Sequence, residues 1–594
     1  MNSQNYWPLF ILPAMQKRVP TFLFAFLFLS FALVSAPCIR AAIFVVTDTN
    51  DTVRITSLRG AIIAANRIGG NNAIFLGQIH DPRRDRPQQN IFRLTISGAE
   101  EEAALTGDLD ITRDNLTIIG VNPDVTIDAS GLGDRVFHVF PKAHLTLQNV
   151  TLKNGTAPAN NFLDPTNYYK TFGGAIFNSG TLTMQNCSVT GNSSGNGGFY
   201  GDYYLLSSPG GEGGGIYNEG YAQLDKCIIS GNTTGAGGGP DSFGGASGGG
   251  NGAGIYNAGT VILTHCIISN NLSGLGANGG VPGWYGIGTP GALGANGGSG
   301  GGIYNVGECS LNFCTINSNG CGDGGKGAGN TGGNGGYGGG IFNFGEANLN
   351  TCTISENFCG NGGSGGEGWF GGSGGSGGNG GSGGGIYNSN SMELTSCTVA
   401  LNQTGAGGNA SDSESETTPS SIASGGNGGD GGGILNDVSS ANVVIRNTLT
   451  ALNASNIGGS GGINYVFSDG GIIETAGASG RNGVGLDVAG DFASRGFNLI
   501  GTGDWGTGFT NRVSADHVGN NANPINPLLG PLQMNGGFTP THALLWGSPA
   551  IDQGNCFGIH QDQRDHHRPY NYPSIPNAIG GDGSDIGAFE LDIH

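Results

Sequence analysis

The chain has 594 residues, 120 of them glycine, and a formal net charge of -20 from 43 acidic and 23 basic side chains. So acidic a surface repels phosphate, which excludes nucleic acid as a partner. It suits a protein dissolved outside a cell or screened by divalent cations.

From Met15, Lys17 and Arg18 precede an apolar run that ends in small residues near Ala41 and Ala42. This is the pattern of a secretory signal peptide, assigned to residues 1–42 with Met15 a candidate true start. No later stretch reaches the length of a membrane span. The mature chain is therefore expected to be secreted, extracellular or associated with a cell surface or outer membrane.

Residues 43–100 read as an N-terminal cap. In SLRGAIIAAN, Ser57 is a helix cap and Leu58, Ile62 and Ala65 share one face, which predicts a short helix over 57–66 that covers an open β edge. The pairs Leu109 and Ile111, Leu116 and Ile118, and Val125 and Ile127 alternate with period two, so a β-helix is expected to begin near residue 100. Val139, Leu145, Leu147, Val150 and Leu152 fit the inward columns of one coil, with Pro141 where an Asn would stand.

Seven near-copies of GG[AG]I[FYL]N follow, anchored by Ile176, Ile216, Ile255, Ile303, Ile341, Ile386 and Ile434, at spacings of 38 to 48 residues. Self-similarity at such a period marks a solenoid. Within one unit Ile176, then Leu182 and Met184, then Cys187 and Val189 alternate inward, and the step of three from Met184 to Cys187 forces a bend. Three short strands and tight corners describe a coil of a parallel β-helix, placed over 101–455 within an all-β chain. No coil buries enough apolar surface to stand alone, so stability must come from stacking like on like.

Stacking turns positions into ladders. Asn178, Asn218, Asn257, Asn305, Asn343, Asn388 and Asn436 form a corner amide column, and Asn192, Asn232, Asn271, Asn319, Asn357 and Asn402 a second. Phe177, Tyr217, Tyr256, Tyr304, Phe342 and Tyr387 each follow an inward Ile and point out as an aromatic stripe, either a platform for sugar rings or a surface covered by the loops nearby. Six of the 11 cysteines form an inward column as small apolar filler, and Cys309 falls in the Leu182 column. Cys321 and Cys359 lie in adjacent coils at matching positions, close enough for a disulfide. The Gly-rich segments between coils read equally as flexible linkers or as a stacked layer along one edge. The acidic loop Ser411–Ser421 is expected to be mobile.

Residues 456–594 are assigned to the last coils and a C-terminal cap. Here the chain resembles known families. FVVTDTNDTVRITSLRGAIIAAN is similar to the CSLREA-type N-terminal segment of secreted bacterial repeat proteins, with Thr56 and Gly60 in place of its Cys and Glu. NLIGTGDW, NPINPLLGPLQMNGGFTPTHALLWGSPAIDQG, DQRDHHRP and DIGAFE resemble the choice-of-anchor Q domain. The GGAI and FxxN pattern resembles the repeat of chlamydial polymorphic outer membrane proteins, which implies a right-handed, single-stranded parallel β-helix of the pectin-lyase type at a cell surface. No translocating barrel or sorting signal follows DIGAFELDIH, so release, or attachment through a partner, is expected.

Parallel β-helices also host polysaccharide lyases and hydrolases, which need paired carboxylates or a base beside calcium-holding acids. Residues 171–440 carry almost no such groups on strand positions, and no NTD, GHG or RIK element occurs. The one charged constellation, Asp552, Asp562, Arg564, Asp565, His566, His567 and Arg568 with Asp585 and Glu590, reads as a salt-bridged cap, with a metal or acid-base site the competing reading. The sequence thus assigns no catalytic, cofactor or metal residue; calcium suits the charge but no motif supports it. Two functions remain: a noncatalytic extracellular scaffold or adhesin presenting Gly-rich loops, or a protein that binds or cleaves an extracellular polysaccharide.

Overall fold

A computed structural model describes residues 41–592, except 78–89, 99–102, 123, 161–168, 201–205, 240–244, 281–290, 368–372, 416–421, 438–442, 469–470 and 510–514. Most of the expected signal peptide lies outside the described residues. In the rest, alternation sets the fold. Ile176–Asn178, Thr181–Gln185 and Ser188–Thr190 are three short strands whose inward residues Ile176, Leu182, Met184, Cys187 and Val189 are at most 3% exposed. Each strand pairs in parallel with its counterpart one coil on, with Ile176 opposite Ile216, Leu182 opposite Ala222 and Val189 opposite Ile229. Repetition gives three parallel sheets of 11, 12 and 12 strands around one apolar core, a parallel β-helix.

The bend after Met184 is made by a left-handed residue, Asn186 at φ 50°, and the same corner recurs at Lys226, His265, Phe313, Thr351, Ser396 and Asn447. Only the first and last of these are Asn, so the stacked turn imposes a conformation that the other side chains disfavour. The Asn178–Gly180 corner needs no left-handed residue, whereas Gly173, at φ 68°, begins the coil in one.

Three expectations need correction. The stack begins earlier than residue 100: Ile43–Val46 pairs with Asn71–Leu76, which pairs with Asp114–Gly120 in the sheet that holds Thr181–Gln185. The helix, Leu58–Ile68 with Ser57 as N-cap, lies in the connection between the first two of these strands and buries Leu58, Ile62 and Ala65. Second, Phe137, not Val139, stands in the Ile176 column, and Val139 occupies the Asn178 column. The corner before Leu145 is longer by two residues than the one before Leu182, so counting back from Leu145 slips the strand by a full alternation.

Third, the C-terminal stretch packs along the flank. Thr315 Oγ1 donates to Pro540 O at 2.6 Å, Thr353 Oγ1 to Gln563 Oε1 at 2.6 Å, and Ala588 N to Thr398 Oγ1 at 3.0 Å. Leu449, Ala451 and Leu499 of the third sheet form a second core there with Leu544, Ile551, Tyr572, Ile586 and Phe589. Within the acidic loop, Ser413–Ser415 pairs with Asn464–Val466. Among the described residues no helix is long and apolar enough to cross a membrane.

Cys321 and Cys359 are free, buried thiols, as are the column cysteines. Cys321 Sγ donates to Tyr337 O and Cys359 Sγ to Ser382 O, both at 3.2 Å, and the two neighbouring thiols stand as free cysteines rather than as a disulfide. Burial pushes the Cys309 thiol up to about 12 and the Cys314 and Cys352 thiols well above their ordinary range. Thiolate chemistry is suppressed accordingly. The intact mass of the chain is expected not to change on reduction, and alkylation of the native protein should be negligible until denaturant is added; a mass gain on reduction would restore the disulfide.

Candidate functional site

Two amide ladders define the corners that position everything outside the core. Asn178 Nδ2 donates to Asn218 Oδ1 at 2.6 Å, and the relay continues through Asn257, Asn305 and Asn343 to Asn388 at 2.7 Å per step, then to Asn436 at 3.1 Å. It ends on Asp491 O. The second ladder runs Asn192, Asn232, Asn271, Asn319, Asn357, Asn402 and Asn453, each amide oxygen taking both the backbone and side-chain N–H of the preceding Asn. Its terminus is a carboxylate. Asp487 Oδ1 accepts from Asn453, and its Oδ2 accepts from Thr502 N and Oγ1. Burial raises the Asp487 pKa against these hydrogen bonds.

The aromatic column is continuous. From Phe177 through Tyr217, Tyr256, Tyr304 and Phe342 to Tyr387, neighbouring rings lie 4.6 to 5.1 Å apart at interplanar angles of 1 to 13°. Each ring face is therefore taken by the next ring, and what remains outward is ring edge and hydroxyl. A sugar ring needs an open face, so the column does not offer the flat platform that outward aromatics suggest in the sequence. Phe177 and Tyr217 are buried under Phe172 and Arg135, while Tyr256 onward is half-buried.

Polar groups flank this column. Glu212 accepts hydrogen bonds from Asn251 N and Nδ2, and desolvation nevertheless pushes its pKa up to about 8. Burial, and then the Glu212 charge, pushes Tyr304 up to about 12. At the far end the Tyr387 hydroxyl donates to Asp437. The folded Glu212 carboxyl holds its proton more tightly than an unfolded Glu at 4.5, so its contribution to stability is fully present below that value and is lost as pH rises through about 8. Glu212→Gln is expected to melt higher than the parent at pH 9 and alongside it at pH 5; a constant difference between the two across that range would refute the assignment.

Sequence reading missed the start of the column. Register places Asp110 opposite His138 and His138 opposite Phe177, so the stripe opens on a carboxylate and an imidazole. Asp108, Asp134 and Arg135 gather around them: Arg135 Nε lies 3.3 Å from Asp108 Oδ2 and 3.6 Å from Asp134 Oδ1, and His138 Nδ1 lies 3.7 Å from Asp110 Oδ1. Burial, then Arg135, holds His138 down to about 3, a neutral imidazole. Desolvation raises Asp108 well above, and Asp134 above, the ordinary carboxylate range. The signal was present as Asp108 and Asp110 at period-two spacing with His138 one coil on, and the two-residue slip concealed it.

The Gly-rich segments form a layer. Gly322, Gly325 and Ala328 donate to Gly298, Ala295 and Ala292 of the preceding loop at 2.8 to 3.0 Å, a three-residue step that matches the turn of a polyproline II chain. From loop to loop the relay Gly274, Gly298, Gly322, Gly336, Gly360, Gly381, Gly405 and Gly429 passes N–H to O without a break. A Cβ at Gly322 would sit 1.8 Å from Gly274 O, and one at Gly405 1.8 Å from Gly360 O. Only glycine allows chains this close. On the outer rows the side chains register too, Asn296 Oδ1 accepting from Asn334 N, Asn334 from Asn379 N and Asn379 from Asn427 N.

The C-terminal constellation is knitted internally. Arg568 and Glu590 are fully buried and joined at 2.7 Å, and Arg568 Nη2 donates to Gly587 O. Arg564 pairs with Asp562 at 2.7 Å and lies over the Phe589 ring. Asp585 accepts from Asp552 N and Leu591 N, and Asp552 from Tyr572 N. Asp565 reaches His265 on the flank at 3.1 Å, and His566 holds Asp592 at 2.5 Å. These groups fasten the segment to itself and to the helix. In comparisons with family models, curated proteins and solved structures, the chain finds no match.

Proposed function

We propose that the protein is a noncatalytic extracellular or cell-surface scaffold, adhesin-like, whose β-helix presents the glycine layer and its columns of side chains to a partner surface. The observation that carries this reading is the unbroken N–H to O relay through successive loops, which makes a rigid, regular face from segments whose composition suggests flexible linkers. The leader pattern, the acidity and the resemblance to surface-displayed repeats support it. Binding of the full chain to intact cells and to a glycan array tests it, with Gly322→Val expected to abolish binding by splaying the layer. Gly245→Ala, where a Cβ meets nothing within 4 Å, is expected to bind normally. Binding that survives Gly322→Val would overturn the reading.

Cleavage of a polysaccharide is the second reading. Glu212 favours it, because a carboxyl that keeps its proton near neutral pH has the character of a general acid. Release of reducing ends from any bound glycan, lost in Glu212→Gln, would replace the first reading with this one.

A further inference from the structure

We infer that Asp108, Asp110 and His138 form a binding site for a first-row divalent cation, zinc or manganese, at the N-terminal end of the aromatic column. One ligand atom from each residue lies within 4.8 Å of the others, and His138 Nδ1 is 3.7 Å from Asp110 Oδ1. Donors bound tetrahedrally at about 2.0–2.2 Å to one ion stand roughly 3.3 to 3.6 Å apart, so the set closes on a cation with side-chain shifts of up to about an ångström.

Two of the three donors are held by paired strands. Asp110 and His138 are opposite partners in the strand pair Leu109–Ile111 and Phe137–Val139, and Asp108 lies in the bend immediately before Leu109. Both carboxylates are buried and the imidazole is half-buried.

Charge calls for a cation. Arg135 lies against Asp108 and Asp134, and Arg59, engaged on both oxygens of Asp51 at 2.7 and 3.1 Å, also acts on Asp108. A bound cation would stabilise the ionised form of carboxylates that burial otherwise disfavours. Arg135 is itself buried, and its Nε makes no hydrogen bond although Asp108 Oδ2 is 3.3 Å away. A cation drawing Asp108 toward Asp110 and His138 rotates that carboxylate, and Arg135 then serves as the outer donor that orients a ligating oxygen.

The donor set selects the ion. One imidazole with two carboxylates suits zinc or manganese, whereas calcium takes six to eight oxygens. A bound ion would tie the segment before Leu109 to the coil of Phe137, at the first strand of this sheet.

The test uses the full mature chain without a histidine tag, stripped with chelator and titrated with zinc, manganese and calcium by calorimetry. One equivalent of zinc is expected, with His138→Gln and Asp110→Asn each weakening it roughly tenfold or more, and calcium binding far more weakly than zinc. No stoichiometric zinc, or zinc binding unchanged in both variants, overturns the proposal. Should the variants fail to fold, cobalt(II) in the parent protein decides. Visible bands without thiolate charge transfer support the site, and a thiolate band moves the ion to a cysteine site such as Cys556 beside His560, 3.9 Å apart, and overturns it.

Discussion

Asn319→Ala is expected to cost about 4 kcal/mol, read as a lower denaturant midpoint with an unchanged slope. Asn319 lies in the middle of the second ladder and is fully buried. Its Oδ1 accepts from Asn271 N at 3.1 Å and Nδ2 at 2.9 Å, while its Nδ2 donates to Asn357 Oδ1 and Ile268 O, both at 2.9 Å. Alanine leaves the Asn271 N–H and the Ile268 carbonyl buried without partners, and the coil cannot admit water without opening the stack.

The ladder has a direction, and substitution by a carboxylate tests it. Asn319→Asp keeps the acceptor toward Asn271 but turns an oxygen onto Asn357 Oδ1, so it is expected to destabilise at least as much as alanine at neutral pH. At the terminus the demand is reversed. Asp487 meets donors on both sides, the two Asn453 N–H groups and the Thr502 N–H and hydroxyl. Asp487→Asn therefore sets one amide N–H against Thr502 N, a loss of about 1–2 kcal/mol because the Thr502 hydroxyl can turn to accept. Equal costs for Asn319→Asp and Asn319→Gln would show that volume, not polarity, sets the ladder.

The ladders and core columns were legible in the sequence because period two and the fixed eleven-residue step from Ile176 to Cys187 recur whatever the loops do. Legibility failed where length varied. The corner of Phe140, Pro141 and Lys142 has no glycine signature to count from, and the strand slipped with it, hiding His138. The glycine layer left no periodicity in hydrophobicity, since its order lies in backbone contacts that only absent side chains permit, as at Gly322 and Gly405. The flank position of the C-terminal stretch was unreadable for another reason. Thr315, Thr353 and Thr398 look like ordinary outward strand residues, and only their hydrogen bonds to Pro540, Gln563 and Ala588 show that their face is covered.

That cover depends on one buried pair, and Arg568→Ala is expected to release it at a cost of about 3–5 kcal/mol. Arg568 and Glu590 are both fully buried, and Glu590 also accepts from Tyr570 N at 2.6 Å and Asp585 N at 3.0 Å. Truncating the arginine strands the Glu590 charge beside Asp585, whose pKa burial and Glu590 already raise well above the carboxylate range. The β-helix has its own core, separate from the one that Leu449 and Leu499 share with Ile551, Ile586 and Phe589. Loss of the pair should therefore free the C-terminal segment while the coils stay folded: limited proteolysis would trim the chain back toward Ile525, and the main unfolding transition would hold its midpoint. Arg568→Met with Glu590→Leu is expected to resist the protease better than either single variant, because the double change removes both charges rather than orphaning one. A single cooperative unfolding at reduced midpoint in Arg568→Ala would show instead that the flank segment and the solenoid form one folding unit.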